Sequence, residues 1–237
     1  MLRTPLLRGT FRAPRCAPLT LLRPLSTTPS ARSAITDTIK RDHRELESHY
    51  NNIMCTPDSD PDTAARWQNQ FVWSLARHSI AEELVVYPAF EKHIPSGAGK
   101  AMADKDRAEH QNVKELLYKF QSLSPSSPEF KPTLERLWRV LSQHIAEEEK
   151  EDLPALEKCI DADSGEALAK SFGRTKHFVP TRSHPSAPDK PPYETAVGMM
   201  ATPMDKLMDM FKKFPDEATP EPGKGKRVSG GSAEVIG

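Results

Sequence analysis

The chain has 237 residues with 33 basic and 33 acidic side chains, so no charge excess marks the whole of it as a nucleic-acid binder. Its length admits one domain or two, but the 22 prolines crowd the ends and two loops, leaving one proline-poor stretch the size of a single domain. No run of about 18 apolar residues is present, which excludes a membrane-spanning helix.

Residues 1–34 are a material apart. They contain Arg3, Arg8, Arg12, Arg15, Arg23 and Arg32, no Asp, Glu or Lys, and many Ser, Thr and Leu. That composition predicts a mitochondrial transit peptide and so a location in the matrix. The remainder carries 27 basic against 33 acidic residues, a net charge near −6, and contains no nucleic-acid motif.

Residues 35–160 read as four long helices. The first runs from about Ser33 to Met54, with Ile39, His43, Leu46, Tyr50 and Ile53 at three- and four-residue steps. A loop from Cys55 to Asp62 ends in an Asp N-cap. The second helix runs from Thr63 to about Tyr87 along Phe71, Leu75, His78, Glu82 and Val85, and Pro88 kinks its continuation towards His93. The third covers about Ala98 to Leu123 through Ala103, Asp106, His110, Val113, Leu117 and Phe120. After a turn at residues 124–128, the fourth runs from Glu129 to Leu153 along Leu134, Leu137, Leu141, His144 and Glu148. Matched lengths and short loops predict an all-α, up-down-up-down four-helix bundle. A C-terminal extension, residues 161–216, adds short amphipathic helices. Within it Ser164–Phe172 is a short helix, 175–192 is a proline-rich strap, and Met204, Leu207, Met208, Phe211 and Phe214 form an amphipathic segment expected to pack back on the bundle. Residues 217–237 are Gly-rich and polar, as expected of a disordered tail.

Two segments of the bundle look like copies. His78-Ser79-Ile80-Ala81-Glu82-Glu83 leads to Tyr87-Pro88-Ala89-Phe90-Glu91-Lys92, and His144-Ile145-Ala146-Glu147-Glu148-Glu149 leads to Leu153-Pro154-Ala155-Leu156-Glu157-Lys158. Each follows an acid-His pair, Asp42-His43 and Glu109-His110. Four histidines and two glutamates therefore interrupt four apolar seams. Burying unpaired carboxylates costs several kcal/mol each, so one or two dications are the simplest compensating partners. Asp106 and Glu47 lie one turn from seam histidines and are weaker ligand candidates, whereas Glu83, Glu147 and Glu149 read as solvated or outer carboxylates. Trp67, Trp73, Trp138 and Tyr87 read as packing.

With these residues in place, the chain resembles the hemerythrin-like family, in the branch called the HHE cation-binding domain. The resemblance covers about residues 36–160. It implies a four-helix bundle holding a non-haem di-iron centre, with His43, His78, His110 and His144 capping the irons and Glu82 and Glu148 bridging them. Imidazole and carboxylate ligands suit iron, with manganese or zinc as alternative occupants. Six protein ligands leave positions for a small molecule such as dioxygen, nitric oxide or peroxide. Oxygen-carrying hemerythrins place a second His four residues along the third helix, where this chain has Lys114. The expected function is a metal-binding protein that binds or senses oxygen, reactive small molecules or iron. The alternatives are a di-iron oxidase, peroxidase or nitric-oxide-detoxifying enzyme, and a metal-stabilised protein-interaction module. The sequence indicates no particular protein partner.

Overall fold

The computed structural model describes residues 33–186 and 193–216, with only the backbone of residues 193–200. The expected tail, all but the last two residues of the expected transit peptide, and part of the strap lie outside this range. The described residues are helical throughout their regular parts.

Four long helices make the bundle: α1 (Ala34–Cys55), α2 (Pro61–Ala81), α4 (Ala98–Gln121) and α5 (Phe130–Glu147). α2 starts two residues earlier than the sequence suggests. Asp60, not Asp62, accepts the Thr63 N–H at 3.1 Å, and Pro61 takes the first helical position, where a missing N–H costs nothing.

The helices bearing the repeated motif are not continuous. α2 gives way to a π turn at Glu82–Val86 before α3 (Tyr87–His93), and α5 to a π turn at Glu148–Asp152 before α6 (Leu153–Glu157). The prolines explain both. Pro88 and Pro154 carry no N–H and their rings crowd the carbonyl four residues back. In each case the residue just before the proline closes a wider turn, Tyr87 N–H reaching the Glu82 carbonyl and Leu153 N–H that of Glu148. Such bulges occur often at functional sites, and here each opens on a candidate ligand.

The core is in two parts with the histidine layer between them. One part holds Leu46, Ile53, Leu75, Val113, Phe120 and Leu141; the other holds Ile39, Ala81, Phe90, Ala103, Leu153 and Phe172. Along α1 and α4 the chain passes from the second part to the first, and along α2 and α5 from the first to the second. The order is therefore up-down-up-down, and the four turns bearing the candidate ligands meet at one depth. Gly99 makes the α3–α4 crossing tight: a Cβ there would stand 2.0 Å from the Phe90 carbonyl oxygen.

The extension is joined to this bundle. α7 (Ala162–Thr175), capped by Asp161 on the Ser164 N–H at 2.8 Å, packs on α1 and buries Phe172. α8 (Tyr193–Asp209) begins well before the amphipathic segment and contains Pro203. It meets the rest of the chain through polar side chains, and its apolar stripe faces outward: Met204, Leu207, Met208 and Phe211 are exposed. The expectation that this stripe packs back on the bundle is not met at these four residues; Phe214 alone of the segment is half-buried, with its carbonyl accepting from Arg66 of α2.

Candidate metal centre

All six candidate ligands come together. His43, His78, His110 and His144 are buried, and Glu82 and Glu148 have no solvent exposure. The Nε2 atoms point inward. His78 Nε2 lies 3.2 Å from Glu82 Oε1, His110 Nε2 3.4 Å from Glu82 Oε2, and His43 Nε2 3.4 Å from Glu148 Oε2. The Nε2 atoms of His110 and His144 are 3.1 Å apart. Ligands about 2.1 Å from one ion, at ordinary coordination angles, stand roughly 3 to 3.6 Å from each other, so these separations suit a shared ion. Two such groups, His43-His78-Glu82 and Glu82-His110-His144, have Glu82 in common.

Orphaned atoms mark the same place. Both carboxylate oxygens of Glu82, both of Glu148 and Nε2 of His43 are buried without a hydrogen-bond partner among the described residues. Two unpaired carboxylates side by side in a dry core are costly to ionise. Burial pushes Glu148 up to about 8, and burial together with the Glu148 charge drives Glu82 well above the usual carboxylate range. Burial also holds His43 and His110 down to about 4 and lowers His78, leaving their imidazoles neutral and able to ligate. His144 is raised: burial opposes its charge, but the Glu109 hydrogen bond and the Glu148 and Asp106 carboxylates outweigh burial. A dication between these groups removes the conflict, and the donor set fits it.

Each imidazole is held from behind by an acid. His43 Nδ1 meets Glu149 at 2.9 Å, His78 Nδ1 meets Asp42 at 3.3 Å, His110 Nδ1 meets Glu83 at 3.1 Å and His144 Nδ1 meets Glu109 at 2.8 Å. An acid on Nδ1 fixes the tautomer that turns the Nε2 lone pair inward. The pattern has a twofold logic. The acid before each α1 or α4 histidine serves the histidine of the next helix, and the acid after each motif glutamate serves the α1 or α4 histidine. Each acid in turn meets a cation: Arg44 at 2.6 Å from Glu149, Lys114 at 2.6 Å from Glu83, Lys105 at 3.5 Å from Glu109, and Lys176 paired with Asp42.

Several of these roles go beyond the sequence expectations. Glu83 and Glu149 lie outside the ring of candidate ligands and hold the His110 and His43 imidazoles instead of facing solvent. Tyr87 is more than packing, because its hydroxyl lies 2.9 Å from His110 Nε2 and the side chain is fully buried. Lys114, at the position of the hemerythrin carriers' extra histidine, is spent on Glu83. Asp106 is fully buried with both oxygens unpartnered, and burial together with Asp152 raises it to about 7, so it remains a flanking candidate. Glu47 lies away from the centre, half exposed beside Arg44. Trp138 stacks on Tyr50 and Trp73 lies under Arg77, as expected of packing residues. The acid pairs were visible in the repeat; that each serves a neighbouring helix was not.

A four-helix bundle with buried imidazoles and carboxylates converging at one depth defines a metal-cation-binding helical protein. The family model for the hemerythrin HHE cation binding domain matches residues 34–156, and the chain belongs to that family. It is 56% identical over 181 residues to an uncharacterized hemerythrin-like protein of Schizosaccharomyces pombe, covering 76% of this chain and 88% of that one. A DNA nickase of Nostoc sp. is 26% identical over 148 residues, 62% of this chain but only 40% of the nickase. Among solved structures, a hemerythrin HHE cation binding domain-containing protein from Mycobacterium kansasii matches with a TM-score of 0.50 and 22% identity, over 60% of this chain and 86% of that chain, which supports the fold.

Proposed function

We propose that His43, His78, His110 and His144, with Glu82 and Glu148 between them, hold a non-haem di-iron centre, and that the protein uses it to bind or sense oxygen, reactive small molecules or iron. Manganese and zinc are the alternative occupants. The observation that carries this reading is the set of four orphaned glutamate oxygens enclosed by inward-facing imidazole nitrogens. Bound iron supplies redox capacity and coordination positions that the six protein ligands leave for a small molecule. The chain's own part is to keep the imidazoles of His43, His78 and His110 neutral, orient all four through Asp42, Glu83, Glu109 and Glu149, and exclude bulk water with the two apolar clusters. Metal analysis of the purified protein tests this reading. About two iron equivalents per chain are expected, with an optical spectrum that changes when anaerobic protein meets air. Less than about half an equivalent of any transition metal overturns it.

One observation favours an enzyme, a di-iron oxidase, peroxidase or nitric-oxide-detoxifying protein. The Tyr87 hydroxyl stands where it can give a proton to a small molecule at the centre. Sustained consumption of peroxide or nitric oxide with a reductant, lost in His144→Ala, would establish that alternative.

The arginine-rich, acid-free residues 1–34 support a mitochondrial location. Fusing them to a fluorescent reporter should deliver it to mitochondria with cleavage, and an uncleaved cytosolic reporter would reject the proposal.

A further inference from the structure

α8 carries its polar side inward. Asp205, nearly buried, accepts the backbone N–H groups of Thr181 and Arg182, each at 3.1 Å, and pairs with His184 at 3.0 Å. Asp209 accepts from the Thr181 hydroxyl at 2.7 Å and pairs with Arg182. Thr202 donates to the Phe178 carbonyl at 2.9 Å. Just past the helix, Asn69 donates to the Lys213 carbonyl at 2.9 Å, and Lys213 pairs with Asp62 at 3.0 Å. Polar bonds from Thr202 onward thus fix the C-terminal half of the helix to the strap, and the segment just past it to α2.

The opposite side is apolar and open. Met204, Leu207 and Met208 of α8, with Met210 and Phe211 just past its end, are between 51% and 82% exposed. Scattered apolar side chains on a surface need no explanation, but a contiguous stripe of this size marks an interaction site. The exposed charges beside it are mainly cationic: Lys206, whose Nζ also donates to the His177 carbonyl, and Lys212 stand free of acids among the described residues, while Lys213 is paired with the half-exposed Asp62. Over residues 203–213 the exposed charged side chains are Lys206, Lys212 and Lys213, while both aspartates are turned towards the strap.

We propose that this face of α8 docks on an anionic lipid surface, lying in the plane of the headgroups. An apolar stripe edged by lysines is the composition of an interfacial helix, in which the apolar side enters the acyl boundary and the cations meet phosphate. A second copy of the chain fits less well, because a twofold contact through this stripe would set the two lysine groups against each other. The proposal stands on different residues from the metal centre and does not depend on it.

The test uses the full chain and vesicles of equal parts phosphatidylglycerol and phosphatidylcholine. In Met208→Trp, tryptophan emission should shift to the blue on adding vesicles and be quenched by lipids brominated on their acyl chains, beyond the signal of the parent's own tryptophans. This local readout separates α8 from any binding by the basic residues 1–34. Adding Leu207→Ser and Phe211→Ser should weaken the local signal about 100-fold or more. Lys212→Glu, which changes two unit charges, should weaken it about 30-fold. Unchanged metal content and helicity would show that these variants fold. Three outcomes overturn the proposal: an unquenched tryptophan at position 208 while the protein sediments with vesicles, equal binding to pure phosphatidylcholine, or a dimer in sedimentation analysis that the serine substitutions dissociate.

Discussion

His43 Nε2 and Glu148 Oε2 face each other at 3.4 Å in the middle of the bundle, and neither atom has a hydrogen-bond partner among the described residues. The pair is poised for a third atom. Neutralising the carboxylate without changing its shape should therefore act in opposite directions on the two forms of the protein. Glu148→Gln should stabilise the metal-free chain by on the order of 1 kcal/mol, a few degrees in melting temperature, because folding no longer requires a buried carboxyl to hold a proton that the unfolded chain gives up. The same change should lower metal affinity by roughly 100-fold or more. Thermal melts of the chelator-treated protein and metal titrations check both signs, and a destabilised apoprotein with normal metal affinity would refute the assignment.

The metal-free protein should be more stable at pH 6.5 and below than at pH 8. Burial raises Glu148 to about 8 and Asp106 to about 7, so between pH 6.5 and 8 the folded chain keeps protons that the unfolded chain has lost. Stability then falls as pH rises through that window. Below the ordinary histidine value of 6.5 the unfolded histidines take up protons that His43 and His110, held near 4 by burial, refuse, while Glu148 and Asp106 still keep protons that the unfolded chain has lost, so the two contributions offset and stability stays nearly level down to about pH 4.5. Metal competes with the carboxyl protons, and the loaded protein should instead gain stability from pH 6.5 to 8. Denaturant melts across this range, with and without iron, read the reversal.

Acids behind the imidazoles should matter almost as much as the ligands. Glu109→Gln or Asp42→Asn should weaken metal binding about 10- to 100-fold, since each removes the charge that orients a ligating ring. Lys176→Met acts one bond further out, on Asp42, and should have a smaller effect that Lys176→Arg restores. Metal release rates to a chelator distinguish the three classes.

Tyr87→Phe should leave metal stoichiometry intact and alter reactivity. With the hydroxyl 2.9 Å from His110 Nε2, its loss should slow oxidation of the reduced centre by peroxide at least about tenfold. Stopped-flow oxidation measures it, and an unchanged rate would return Tyr87 to a packing role.

Gly99→Ala should destabilise the chain by about 1 to 3 kcal/mol or more, because the new methyl meets the Phe90 carbonyl oxygen, a backbone atom that cannot step aside. Chemical denaturation gives the value directly.

The sequence by itself determined the helical seams, the duplicated motif and the six inward residues, because each of these is a local periodicity of the chain. His43, His78, His110 and His144 stand on apolar stripes whatever the helices do next. Partnership was decided by the tertiary structure. Asp42 precedes His43 yet holds His78, and Glu83 follows Glu82 yet holds His110, since neighbouring residues on a helix point about 100° apart and reach different neighbours. The π turns were foreshadowed by Pro88 and Pro154, but that each opens at a glutamate is a matter of where the wider turn closes. For α8 the periodicity revealed two faces and could not say which turns inward. Asp205 and Asp209 decided it, because the strap offers backbone N–H groups, Arg182 and His184 that need acceptors, leaving the apolar face outside.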